Sequence, residues 1–237
     1  IDGMPLHVID TAGLVQANSV TVNNGEITLD AGPTGDINVS GTLSARGLGT
    51  GETGGFITVK ATNVYATPTS QFLATGHAGG GSIFIGRGPV SGMSASPTKI
   101  YANSGSIFDA SAVETGAGGL ITLMTDYNDA GSFISANGMF YANAGSISGT
   151  GGTIDAYFSS IELPEASGSL SARAGEAAKL MFNANNVEIS NAASSTGLLT
   201  QATVQDLLNA GQRVSINAIG AGANSGNILV SSSILKS

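Results

Sequence analysis

Tyr101-Ala102-Asn103-Ser104-Gly105-Ser106-Ile107 recurs 40 residues later as Tyr141-Ala142-Asn143-Ala144-Gly145-Ser146-Ile147. An apolar residue precedes each tyrosine, Ile100 in one copy and Phe140 in the other, and Val64-Tyr65-Ala66 repeats the start of the unit 36 residues before the first copy. Repetition on this length scale marks a chain built from stacked supersecondary units, and it decides the fold before composition is considered.

Working outward, a glycine pair followed by alternating apolar residues returns four times. Gly54-Gly55 leads to Ile57 and Val59, Gly80-Gly81 to Ile83 and Ile85, Gly118-Gly119 to Ile121 and Leu123, and Gly151-Gly152 to Ile154 and Ala156. Looser copies are Ile27/Leu29, Ile37/Val39, Leu180/Phe182 and Val214/Ile216. Units close on an apolar-x-Ala step: Leu43-Ser44-Ala45, Phe72-Leu73-Ala74, Ile134-Ser135-Ala136, Leu170-Ser171-Ala172. A period of two means strand, and Gly, Asn or Pro breaks each run after a few residues. A unit reads as Gly-Gly, strand, turn, strand, turn, strand. One such unit buries nothing alone; stacked units bury their inward residues on one another and pair every backbone group with the layer above and below. The reading is all-β, a parallel β-solenoid, as a single segment over residues 1–237. The unit spacing gives eight to ten layers and a rod of about 40–50 Å at ~4.8 Å per layer. Ile57, Val59, Ile83, Ile85, Ile121, Leu123 and Ile154 are expected to be buried. Val90 to Thr98 reads as an excursion at a turn.

One stretch breaks the alternation. In Thr203-Val204-Gln205-Asp206-Leu207-Leu208-Asn209-Ala210-Gly211 the residues Val204, Leu207 and Leu208 share a helical face. Thr203 with Asp206 resembles a capping box, and Gly211 suits the position after a helix end. The spacing predicts a short helix near residues 203–210 lying over the stack.

Composition agrees. Gly supplies 35 of 237 residues, twice the usual ~7%, without a collagen period. Hydrophobic residues make up 41%, which argues against disorder, and charged residues only 10%. The net charge of −8 leaves no basic stripe for nucleic acid or for an anionic membrane surface. The absence of cysteine excludes disulfides, Cys-ligated zinc and a thiol nucleophile. Ile1 to Pro5 carries no signal-peptide pattern, and both ends read as cut, so a fragment of a longer polypeptide is expected.

The coil Gly55-Phe56-Ile57-Thr58-Val59-Lys60-Ala61-Thr62-Asn63-Val64, the run from Gly151 to Gly175, and the segment Gln201 to Ala218 resemble the haemagglutinin-type repeats of two-partner-secretion exoproteins. These are the filamentous haemagglutinins and high-molecular-weight adhesins. In the last segment a short helix with Leu207-Leu208 and Gly211 precedes Val214-Ser215-Ile216-Asn217-Ala218, similar to a pattern recurring in that family. The resemblance spans most of the chain, from about Gly25 to Val230. The secretion-domain hallmarks Asn-Pro-Asn-Gly and Asn-Pro-Asn-Leu are absent, so it implies repeat shaft or a distal binding part. It further implies a right-handed parallel β-helix (β-solenoid), export through an outer-membrane transporter partner, a place outside the cell or at the bacterial surface, and virulence-related attachment to a host receptor or glycan, with the segment itself a monomer.

Candidate chemistry is thin. Parallel β-helices also build polysaccharide lyases and hydrolases, which need clustered carboxylates or a calcium-binding acidic patch. Here acids are scattered; Asp126 and Asp129 form the tightest group and read as a polar turn. The group that stacking would align is Asp109, Asp126, Asp129 and Asp155, and it is expected not to converge. His77, in Thr75-Gly76-His77-Ala78-Gly79-Gly80, has no adjacent acid and reads as a turn residue; His7 stands alone. Gly76 to Gly81 lacks the Lys-Ser/Thr of a phosphate loop. Asn38-Val39-Ser40 is the one glycosylation sequon, read as strand. Tyr101 and Tyr141 hold equivalent places in the repeat and point outward by period two; an aromatic ladder along the rod is preferred to a sugar-stacking role. No catalytic, cofactor-binding or metal-ligating residue is assigned, and no nucleic-acid partner. A structural and adhesive fibre segment is the first reading. The stalk of a contact-dependent inhibition toxin is the second, and a pectin-lyase-like enzyme the third.

Overall fold

A computed structural model describes residues 8–17, 25–32, 35–86, 99–127, 129, 131–163, 178–191, 198–219 and 226–235. The excursion expected at Val90 to Thr98, the Leu170-Ser171-Ala172 step and His7 lie outside them. The described residues form short strands and one helix. The first strands are β1 (Val8–Thr11), β2 (Leu14–Gln16), β3 (Glu26–Asp30), β4 (Asp36–Val39), β5 (Thr42–Ser44), β6 (Phe56–Lys60) and β7 (Asn63–Ala66). They continue with β8 (Gln71–Leu73), β9 (Ser82–Ile85), β10 (Lys99–Ala102), β11 (Ile107–Asp109), β12 (Leu120–Met124), β13 (Phe133–Ala136) and β14 (Met139–Tyr141). The rest are β15 (Thr153–Tyr157), β16 (Ser160–Glu162), β17 (Lys179–Ala184), β18 (Val187–Ser190), β19 (Leu198–Thr200), α1 (Gln201–Asn209), β20 (Arg213–Ala218) and β21 (Ile228–Val230).

Every pairing between these strands is parallel. Three sheets take the strands in rotation. The first runs β1-β4-β7-β10-β13-β16, the second β2-β5-β8-β11-β14, and the third β3-β6-β9-β12-β15-β17-β20. A fourth, small sheet runs β19-β18-β21. The chain thus lays one strand in each of three sheets and returns to the first one layer on, for five consecutive circuits. The longest sheet has seven strands, or about 30 Å at ~4.8 Å per layer. Among the described residues this sheet has seven strands against the eight to ten layers expected, and Glu26 reaches its sixth successor, Arg213, in steps of 26 to 38 residues, longer than the shortest units assumed.

The Gly-Gly repeat fixes the third sheet. Phe56, Ser82, Leu120 and Thr153, each directly after a glycine pair, stand opposite one another, and Ile57, Ile83, Ile121, Ile154, Leu180 and Val214 form one inward column. Ile57, Val59, Ile83, Ile85, Ile121, Leu123 and Ile154 are all buried in one core. The glycines are obligatory because backbones meet at this corner. A methyl on Gly80 would overlap the Ala110 carbonyl oxygen, one on Gly118 that of Ala142, and one on Gly119 that of Gly81. The second glycine of each pair donates its N–H to an alanine carbonyl: Gly55 to Ala45 (2.7 Å), Gly81 to Ala74 (2.7 Å), Gly119 to Ala110 (2.8 Å), Gly152 to Ala142 (2.7 Å). These bonds join the end of the second sheet to the start of the third, closing loops of different length on one geometry.

The heptapeptide repeat is a coincidence of wording. Tyr101 lies in β10 of the first sheet, opposite Tyr65, whereas Tyr141 lies in β14 of the second, opposite Asp109. The 36-residue match to Val64-Tyr65-Ala66 is the true register. Likewise Ile37/Val39 pairs with Val64/Ala66 and Ile134-Ser135-Ala136 with Ile100-Tyr101-Ala102, both in the first sheet. The steps stacked on Phe72-Leu73-Ala74 are Phe108-Asp109-Ala110 and Phe140-Tyr141-Ala142. All three sheets face one core, so all share an apolar-x-small pattern that does not say which sheet a strand joins.

Helix α1 begins earlier than its capping pattern predicts. Thr200, extended at φ −70° and ψ 142°, is the cap, and its Oγ1 accepts the Thr203 N–H at 3.2 Å. The strand β19 leads straight into it, so the cap is the last strand residue and not Thr203. At the other end Gly211 adopts φ 77° and donates to the Leu208 carbonyl at 3.0 Å, while Gln212 donates to Leu207 at 3.0 Å, a Schellman closure. Val204 and Leu207 are buried in the common core and Leu208 packs against it. Among the described residues no helix is long and apolar enough to cross a membrane.

Candidate functional site

The outward side of the first sheet carries the most ordered polar and aromatic arrangement. Strand alternation sends Ile37, Val64, Ile100 and Ile134 inward, so Asn38, Tyr65, Tyr101 and Ser135 form one outer column, with Asp36, Asn63, Lys99 and Phe133 beside it. The rings of Tyr65 and Tyr101 stack 5.1 Å apart and 2° from parallel, and Phe133 meets Tyr101 at 6.1 Å in a tilted contact. Amides and acids continue the column: Asn38 donates to Asp10 at 3.1 Å, Asn63 to Asp36 at 2.7 Å, and Ser135 to Glu162 at 3.2 Å. Burial first, then the nearby Asp36 and Tyr101, holds the Tyr65 phenol above its ordinary pKa. The stacked rings cover each other's faces and present edges and hydroxyls. A sugar ring needs a free aromatic face, so this column is a ladder that ties layers together. Tyr141 takes no part in it and is buried in the second sheet.

The sequon residue Asn38 sits within β4, its amide engaged by Asp10. His77 does have an acidic partner, supplied by the next layer: its Nε2 lies 3.0 Å from Glu114 Oε2. That contact was hidden in the sequence because the two residues are 37 apart and only stacking joins their loops.

The four aspartates divide among different places. Asp109 is buried in β11 and accepts the Ser111 N–H at 3.0 Å. Asp126 and Asp129 make the polar turn after β12: the Asp129 N–H reaches the Asp126 carbonyl at 3.0 Å, and the Asp129 carboxylate caps Gly131 at 2.8 Å. Asp155 stands on the outer side of β15, bonded by the Asn183 amide and by Tyr157. Asn183 in turn accepts from Asn217 at 2.8 Å, an amide ladder continuing the stack. Burial raises the Asp155 pKa, against the opposing pull of Tyr157, Asn183 and Lys179. Burial likewise raises Tyr157, helped by Asp155. Among the described residues no three His, Asp or Glu side chains gather as a metal would require. An interior gap lined by Leu123, Phe140, Ile154, Ile161, Leu180 and Phe182 is apolar. Among the described residues this arrangement offers repeated outer surfaces for contact. No model of a known protein family matches the chain, and no curated protein matches it.

Proposed function

We propose that the chain is a right-handed parallel β-helix forming a structural and adhesive segment of a large secreted or surface-attached bacterial fibre, of the filamentous haemagglutinin type. The observation that carries this reading is the rotation of strands through three parallel sheets with inward columns of Ile, Val, Leu and Phe in register. Such a stack sets length and stiffness and leaves the outer surfaces and corner loops to make contacts. The haemagglutinin-repeat resemblance adds export through an outer-membrane transporter and attachment to host cells. The division of Asp109, Asp126, Asp129 and Asp155 supports a non-catalytic role. Purified chain is expected to adhere to cultured epithelial cells in a saturable way and to release no products from acidic polysaccharides. Release of unsaturated or reducing sugar ends, abolished by Asp155→Asn, sinks the reading in favour of an enzyme.

A further inference from the structure

We infer that the chain associates head to tail with further copies of itself, the edge of β20 in one copy receiving β3 of the next, in place of the monomer that the family resemblance implies. The two strands close the third sheet at its opposite ends, and among the described residues each has a strand neighbour on one side. A strand at a sheet edge presents backbone groups to any strand that matches it. The core is unfinished at the same places. Ile57, Ile83 and Ile121 in the middle layers are buried, whereas Ile9, Val15 and Leu29 at one end, and Val214 and Ile216 at the other, are only partly covered. Ile228, Leu229 and Val230 of β21 are each exposed.

The register chooses the occupant. Pairing through the third sheet runs in columns from Glu26, Ile27, Thr28, Leu29 and Asp30 of β3 to Arg213, Val214, Ser215, Ile216 and Asn217 of β20. A second copy advanced along the stack by one whole sheet sets these two rows opposite each other. Glu26 then faces Arg213, both exposed, and opposite charges on adjacent strands attract. Ile27 meets Val214 and Leu29 meets Ile216 on the core side, and Thr28 meets Ser215 outside. Asp30 meets Asn217, an acid against an amide, the pair that Asp36 and Asn63 already make within the molecule at 2.7 Å. Glu26 accepts the Thr28 hydroxyl at 3.3 Å, and Asp30 accepts the Gly32 N–H at 2.9 Å and lies 4.0 Å from Lys60; each carboxylate keeps acceptor sites beyond these. Like ends fit less well. With the core side kept they meet antiparallel, against the parallel order of every internal pairing. Two β3 edges matched on their apolar residues set Glu26 across from Asp30, a like-charge pair. Unlike ends joined by translation do not close on themselves, so the product is an open filament. The net charge of −8 per copy opposes self-association, so the contact is expected at about 0.15 M salt, where charges beyond ~8 Å are screened and those on strands ~4.8 Å apart still interact.

Analytical ultracentrifugation of the purified chain, from micromolar to millimolar concentration, tests this. The mass is expected to rise continuously with concentration, and small-angle scattering should show rods that lengthen at constant cross-section. Arg213→Glu alone and Glu26→Arg alone are each expected to associate roughly tenfold more weakly, and an equal mixture of the two to recover, because each end then meets its opposite charge. A mixture of Thr28→Cys and Ser215→Cys chains should give a covalent dimer with a short bismaleimide, a measurement that does not depend on either charge variant folding. Four results overturn the inference: a monomer at every concentration, growth that stops at a dimer, charge variants that associate as the unaltered chain does, or Ser215→Cys chains that cross-link to themselves. Each of these leaves the adhesive reading standing, since cell binding tests that reading separately.

Discussion

At the corner glycines the backbone of one layer lies where a side chain would begin. A methyl on Gly119 meets two carbonyls at once, those of Gly81 and Ala110, and both are backbone atoms held by their own hydrogen bonds. Gly119→Ala is therefore expected to cost about 3 kcal/mol or more in urea denaturation, at the upper end of overpacking penalties. Gly13→Ala, at a turn with open space around the new carbon, is expected to change stability by less than about 0.5 kcal/mol. Asp155 makes a second prediction at this scale. Its carboxyl binds a proton more tightly in the folded chain than in the unfolded one, because burial disfavours the charge. The folded state then holds more protons in the range between the two pKa values, so this group's contribution falls as pH rises through them and is fully present only below the unfolded value. Asp155→Asn keeps a hydrogen-bonding ladder of the kind Asn183 and Asn217 form. The stability of the variant relative to the unaltered chain should therefore increase with pH from about 3.5 to 7. A difference that stays flat or shrinks over that range contradicts the assignment.

At the scale of one element, α1 shows how a helix is started inside a strand protein. Thr200 ends β19 and caps α1 with the same extended backbone, so the two elements share a residue. Thr200→Ala is expected to cost about 1 kcal/mol and to speed amide exchange in the first turn of the helix. Thr203→Ala leaves the accepted N–H in place and should cost a few tenths of a kcal/mol. The reverse order would restore Thr203 as the cap. The helix stays on the stack through Val204 and Leu207, which enter the core that the strands build.

At the scale of the whole molecule, stability is shared along the stack. Phe72, Phe108 and Phe140 stack through three layers with centroids 4.4 Å and 4.7 Å apart, all fully buried. Phe108 touches both neighbours, so Phe108→Ala should cost about 3–5 kcal/mol. Its effect should reach beyond its own layer, because each layer of such an array is stabilised mainly by the next. Hydrogen exchange should show faster amides in β8 and β14 as well as in β11; loss confined to β11 would mean that the layers are energetically separate.

The sequence by itself determined the strand class, the inward residues of the third sheet and the presence of a helix. Each rests on local rules: a period of two, glycine where backbones crowd, and apolar residues on one helical face. Only the tertiary structure decided which strands lie opposite one another. Tyr101 and Tyr141 share a heptapeptide yet belong to different sheets, because strands facing a common core obey the same pattern and register is set by the number of residues around each circuit. The same holds for contacts on the outside. His77 finds Glu114 and Asn183 finds Asp155, because residues about 30 positions apart become neighbours a single layer apart, a distance no local pattern encodes.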